Sequence, residues 1–409
     1  MRFHWTDLRR ILSSSLILCL IGTITAPILF SQTQQPAEKV DIEVINRIKN
    51  EELQHSQIME TVSYLTDVIG PRLTGSPGLR RAQQYAIERL REWGIANGQL
   101  EPWGRPFGRG WSLEGFTANV TAPAFSPLIA YPKAWSPATD GVVRSELVFF
   151  DVKTEGDLAK YKGKLKGKIV LFVPARPVEP NFLPPARRTS DEDLQKLAAA
   201  KFESERANFQ LSSDRRARAE LNYKKWQMLL DENAAVVLEP GFGDAGTVSV
   251  TGATVPAPVD APEQRSRAWD LNAPKILPQV VVAAEQYNRI VRLVSRGLPV
   301  RLEINIDARF FDQDPMGYNV IAEIPGSDLK EEVVMIGGCL DSWHTATGAT
   351  DNAAGAAVAL EVMRLFKTLN LKPRRTVRIG LWSAEEQGPS GRKLRSDPFC
   401  QKNWRAGAL

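Results

Sequence analysis

At 409 residues, with 43% apolar and 24% charged side chains, the chain has a globular composition and is too long for one ordinary core, so two domains are expected. A formal net charge of +5 is modest for this length, and the basic residues are scattered or paired with acids rather than gathered in a stripe, which argues against a nucleic-acid partner. Three cysteines, Cys19, Cys339 and Cys400, do not indicate a disulfide framework.

At the amino end, Arg2, His4, Arg9 and Arg10 precede an apolar run from Ile11 to Phe30, followed by a polar, turn-like Ser31 to Pro36. This pattern predicts a signal peptide over 1–31 with cleavage near Ser31. The rival reading, an uncleaved membrane anchor, is weakened by Ser13, Ser14, Ser15, Thr23, Thr25 and Pro27. Leu18 before Cys19 does not support a lipoprotein cleavage site. The mature protein is expected to be exported, periplasmic or extracellular, without stable membrane insertion. Its oligomeric state is left open.

Helical periodicity begins at Ile42 to Leu53 and continues over Met59 to Val68. The Gly- and Pro-dense stretch Gly70 to Gly78 then predicts a loop, either lining a cleft or serving as a rigid helix-to-helix connection. Ala82, Tyr85, Ala86, Leu90 and Trp93 fall on one face of an amphipathic helix that ends at Gly94. Period-two alternation over Phe116 to Thr121 predicts a strand, and the prolines at 123, 127, 132 and 137 suggest a domain boundary.

The middle section reads as strands at Glu146 to Phe150, Lys168 to Val173, Ala234 to Leu238, Thr247 to Thr251, Pro278 to Val282 and Val300 to Ile306, with a helix over Glu285 to Arg296. Ser190 to Asp231 predicts one or two exposed helices. Their basic cluster, Arg215, Arg216 and Arg218, is flanked by Asp214 and Glu220 and reads as a solvated face. The glycine-rich Gly241 to Gly246 precedes a predicted strand rather than a helix, so it is read as a turn and not a dinucleotide fingerprint.

From Tyr318 the order strand, loop, helix, strand, loop predicts a βαβ unit. Its strands are Tyr318 to Ile324, Val333 to Ile336 and Thr376 to Gly380, and its helix buries Ala356, Ala359, Leu360, Met363 and Phe366. Two strand-end loops carry four carboxylates, Asp341 and Asp351 in one, Glu385 and Glu386 in the other. Open α/β sheets place ligand sites at such ends, and like charges gathered there call for a cation. Taken singly, Asp351 reads as an ordinary helix N-cap and Glu385-Glu386 as a solvated acidic pair; the case rests on both sitting at the ends of adjacent strands.

The strand end Cys339-Leu340-Asp341, the Gly-Ala-Thr-Asp-Asn of 348–352 and the Trp-Ser-Ala-Glu-Glu-Gln-Gly of 382–388 together resemble the co-catalytic zinc exopeptidases, the aminopeptidase and carboxypeptidase Q-like family. The resemblance implies an α/β fold, a mixed-sheet α/β/α peptidase domain with an inserted β-rich protease-associated domain. Its implied division is 1–31 signal peptide, 32–126 first part of the peptidase domain, 127–309 insert with charged helices, 310–391 peptidase core with the metal-site loops, and 392–409 aberrant tail. It also implies two Zn2+ per complete site and a peptide substrate cut near its terminus. Asp351 would bridge the ions, Glu386 would ligate one, Glu385 would be the general base and Asp341 would orient the ligand two residues before it.

Two departures accompany the resemblance. Cys339 stands where the family has a histidine, and a thiolate there would be a shorter, more charge-donating zinc ligand; as a bland alternative it is a small residue at a strand end. The family's remaining Asp and His ligands would follow Glu386 at a distance this chain does not reach, so a truncated or frame-shifted product is expected. His344 matches no ligand position and is read as structural. The alternatives are a catalytically inactive binding or receptor-like fragment on the same fold, and a glutaminyl cyclase-like amidohydrolase, against which the insert argues.

Overall fold

The computed structural model describes residues 40–388 except 181, 185, 201–211 and 244. The expected signal peptide over 1–31, Cys19, the tail 392–409 and Cys400 lie outside the described residues. Among the described residues no helix is long and apolar enough to cross a membrane. The chain divides into Met1–Asn50 and Glu51–Leu409, and the larger unit carries both sheets.

Helices α1 (Ile42–His55), α2 (Ile58–Ser63) and α3 (Pro77–Glu92) come first, with a π-helical turn at Tyr64–Ile69 before the Gly70 loop. The start of α3 follows from local chemistry: the Ser76 hydroxyl accepts the Leu79 N–H at 3.2 Å, and Pro77 occupies a first-turn position that needs no N–H. Strands β1 (Gln99–Pro106), β2 (Gly110–Ala122), β3 (Ser126–Pro127), β4 (Ala130–Pro132), β5 (Val143–Phe149) and β6 (Ile169–Leu171) follow. Then come α4 (Asp191–Ala199), α5 (Ser213–Asp231), β7 (Val236–Pro240), β8 (Gln279–Val282), α6 (Ala284–Ser295) and β9 (Arg301–Phe311). The chain continues with β10 (Met316–Ile324), β11 (Leu329–Cys339), α7 (Ala354–Thr368) and β12 (Arg375–Trp382).

One sheet is four-stranded, in the order β1-β10-β12-β11. β11 and β12 run parallel, with Cys339 opposite Trp382, and α7 crosses between them, which is the expected βαβ unit. The other two ladders are antiparallel, so the sheet is mixed. Its core joins α3 through Leu79, Ala82, Ala86, Ile87 and Leu90 to α7 through Ala356, Ala359, Leu360 and Met363, over Val320, Val377, Ile379 and Leu381 of the strands. The two periodic faces read from the sequence are therefore the ones that meet; Tyr85, Trp93 and Phe366 pack at their margins.

The second sheet is eight-stranded, in the order β3-β2-β9-β5-β6-β7-β8-β4. Its ladders from β5 through β6 and β7 to β8 are parallel, with Leu147, Ile169, Val236 and Val280 in the buried layer. β2 and β9 pair along nearly their full lengths, so the strand Gly110–Ala122 belongs to this sheet as well as preceding the prolines. α5 packs Trp226 and Leu229 beside Phe172, with the two rings 4.5 Å apart.

One expectation is corrected. Thr247 to Thr251 is not a strand: a lone bridge links Gly252 to Ala134, flanked by backbone bonds from Ala134 to Thr251 and from Ala253 to Ala134. Val250 is buried and Thr247, Ser249 and Thr251 are exposed, so the alternation is real. A ladder needs a neighbouring strand as well as the right side chains, and among the described residues this stretch meets an isolated bridge at Ala134 instead. Arg216 pairs with Asp260 on the exposed face of α5, in keeping with a solvated basic cluster.

Candidate functional site

The parallel register of β11 and β12 sends loops 340–353 and 383–388 off the same edge of the four-stranded sheet, and the Leu340 N–H donates to the Trp382 carbonyl at 2.7 Å where they leave it. Asp341, 1% exposed, accepts from Thr74 Oγ1 at 3.0 Å and from the backbone N–H groups of Glu385 and Glu386 at 3.3 and 3.2 Å. Its carboxylate thus holds the second loop's backbone, whereas the Cys339 thiol meets the Asn352 side chain. Burial pushes Asp341 up to about 6 despite these donors.

Asp351 and Asn352 leave helical geometry in the kinked turn Ala349–Ala353. The capping work falls to Asn352, whose Oδ1 accepts the Gly355 N–H at 3.1 Å. A Cβ on Gly355 would meet that oxygen, so the approach requires glycine. Asp351 is exposed and is not consumed as a cap. Glu385 is also exposed, and Glu386 is half-buried with the Trp343 side chain hydrogen-bonded to it.

Electrostatics bring the acids together. Burial first, then the negative charges of Asp341, Asp351 and Glu385, push Glu386 up to about 7. Cys339 is raised by burial, and the charges of Asp341, Glu385 and Asp351 act in the same direction. All five residues singled out in the sequence are therefore near enough to feel one another. No lysine or arginine figures among the influences on Glu386, and oxygen donors that repel one another suit a divalent cation. Among the described residues, however, no three His, Cys, Asp or Glu side chains surround a common point, so the donor set fits part of a cation site rather than a closed cage.

The residues that sequence reading missed lie in the Gly70 loop, which is more than a connection. Arg72 is completely buried. Its Nε donates to the Leu340 carbonyl at 2.8 Å, and its terminal nitrogens donate to the carbonyls of Leu65, Gly70, Thr347 and Gly348 at 2.8 to 3.0 Å. Both ends of loop 340–348 are thus fastened to one guanidinium. Arg72 N–H also donates to Ser342 Oγ, and Ser342 N–H to the Arg72 carbonyl. Gly348, at φ +64°, lies where a Cβ would strike Ser342 and Arg72. The available signal was an arginine and a threonine set among fixed turns, where a charged side chain has a defined direction.

Two further features surround the loops. Ala384 is fully buried with φ +62°, an uncommon conformation for a residue other than glycine, and its N–H donates to Thr74 Oγ1 at 3.1 Å. His344 is structural: its Nε2 lies 2.8 Å from the Pro132 carbonyl, its ring meets Trp111 edge-on, and burial lowers it to about 4. It ties the first loop to the eight-stranded sheet.

Residues 319–406 match the model of peptidase family M28. Carboxypeptidase Q of Homo sapiens is 25% identical over 334 residues, 81% of this chain and 59% of that protein. The chain thus spans 59% of the length of the carboxypeptidase Q relatives it matches. Leupeptin-inactivating enzyme 1 of Streptomyces exfoliatus is 39% identical over 84 residues, 20% of this chain and 19% of that protein. In fold, the crystal structure of a peptidase M28 precursor from Shewanella amazonensis superposes with a TM-score of 0.54 at 24% identity, over 88% of this chain and 71% of that one.

Proposed function

From the match of residues 319–406 to the model of peptidase family M28, we propose that the chain is an exported, zinc-dependent exopeptidase that hydrolyses a peptide bond near a chain terminus. The observation that carries the reading is Glu386: a half-buried carboxylate raised to about 7 by burial and by three neighbouring acids, with no side-chain cation among its influences. A bound cation relieves that repulsion.

Asp351 and Glu386, with Cys339 beside them, would hold zinc. Zinc bound there supplies Lewis acidity to a water and to the scissile carbonyl. The chain's own residues do the rest. Glu385, exposed at the mouth of the loops, takes the proton of the attacking water and returns it to the leaving amine. Asp341 fixes the direction of Glu385 and Glu386 by accepting both of their backbone N–H groups, and Trp343 holds the Glu386 carboxylate. The partial donor set among the described residues favours a second reading, a binding or receptor-like protein on the same fold.

A panel of amino-acyl and dipeptide substrates, with zinc measured on the same preparation, separates the two. Terminal-residue release that stops with chelator and returns with Zn2+ supports the peptidase. Bound peptide without cleavage supports the binding protein.

A further inference from the structure

Resting on the metal-site reading, we propose that Thr74 is a positioning residue that fixes the spacing of the two carboxylate loops. Its hydroxyl does two things at once: it donates to Asp341 Oδ2 at 3.0 Å and accepts the Ala384 N–H at 3.1 Å. The first partner belongs to the loop that continues to Asp351, the second to the loop that continues to Glu385 and Glu386. At 1% exposure no water competes for either bond.

Thr74 is itself immobilised. Two residues before it, the Arg72 guanidinium grips Leu340, Thr347 and Gly348, and two residues after it Ser76 caps α3. The rigid helix start and the clamped loop leave the hydroxyl one position, and that position meets Ala384 where the backbone adopts its left-handed conformation. Removing the hydroxyl leaves a buried N–H without its partner and takes one donor from Asp341, so the Glu385-Glu386 turn loses its fixed distance from loop 340–353.

The test uses the full chain with Thr74→Val, which keeps shape but not the hydroxyl, and Thr74→Ser, which keeps the hydroxyl but not the methyl. Hydrogen exchange is read at the Ala384, Glu385 and Glu386 amides, and Zn2+ affinity by competition with a chromophoric chelator. Thr74→Val is expected to exchange about tenfold faster at those three amides and to bind Zn2+ about 10- to 100-fold more weakly; Thr74→Ser is expected to restore both. Wild-type exchange in Thr74→Val, or equal impairment in both variants, overturns the proposal, because packing rather than the hydroxyl would then matter. If the unsubstituted chain binds no Zn2+, the metal reading fails and the exchange arm still decides the role of Thr74. Should Thr74→Val not fold, Thr74→Cys, with a similar size and a weaker donor, is expected to exchange at an intermediate rate, and wild-type exchange there overturns the proposal.

Discussion

The two sheets both contain parallel ladders, yet charge near the ends of their parallel strands is met in opposite ways. In the eight-stranded sheet, Glu239 at the end of β7 is paired with Lys133, and Lys225 of α5 donates to the Phe172 carbonyl at 2.9 Å while lying over the Phe172 ring. Charge there is met by the chain itself, by an opposite charge for Glu239 and by a carbonyl and a ring for Lys225. At the ends of β11 and β12, Glu386 instead faces Asp341, Asp351 and Glu385, and Arg72, a buried cation that feels the Asp341 charge, spends its donors on backbone carbonyls. The difference places the uncompensated negative charge at the strand ends of one sheet and not the other.

The largest expected effect sharpens that contrast. Glu385→Gln should lower any peptidase rate by about 10²- to 10⁴-fold while zinc content, read by elemental analysis, stays unchanged, since Glu385 is assigned the proton and not the metal. A matching loss of zinc would reassign it as a ligand. Stability should respond equally in both sheets: Leu360→Ala in α7 and Trp226→Ala in α5, each deleting a buried side chain of its core, should cost about 2–5 kcal/mol in denaturant unfolding. Only Leu360→Ala is expected to weaken zinc binding as well, because α7 follows directly on Asp351.

His344, the link between loop and sheet, gives a smaller, pH-dependent effect. Its folded pKa of about 4 lies below the unfolded value of 6.5, so the unfolded state takes up the proton first. The contribution of His344 to stability is full above pH 6.5 and about 3 kcal/mol of it is lost as pH drops to 4. His344→Gln should lose this component, so that its stability relative to the unsubstituted chain rises as pH falls from 6.5 to 4; identical pH dependence would mean that His344 is not buried neutral. The smallest effect belongs to the solvated basic face: Arg216→Ala should leave Tm and zinc affinity unchanged, as expected for an exposed ion pair.

Much of the fold was legible because its signals are local and periodic. The faces of α3 and α7, the β11-α7-β12 unit and the acids at its strand ends all follow from side-chain spacing. Thr247 to Thr251 was misread because strand character depends on a neighbour the sequence does not name. Arg72 and Thr74 were passed over for a related reason: their partners, from Leu340 to Ala384, lie more than 260 residues away along the chain. The acids announced themselves by type and spacing, whereas the groups that hold them are ordinary residues made specific by burial.

The central claim is that the β11 and β12 loops hold a divalent metal through Asp351 and Glu386. Zn2+ titration of the purified chain, followed calorimetrically beside Asp351→Asn and Glu386→Gln, tests it most directly. Saturable Zn2+ binding by the unsubstituted chain, weakened in each variant while both remain folded, is the predicted result. Zn2+ binding of equal strength in all three proteins, or none in any, would contradict it.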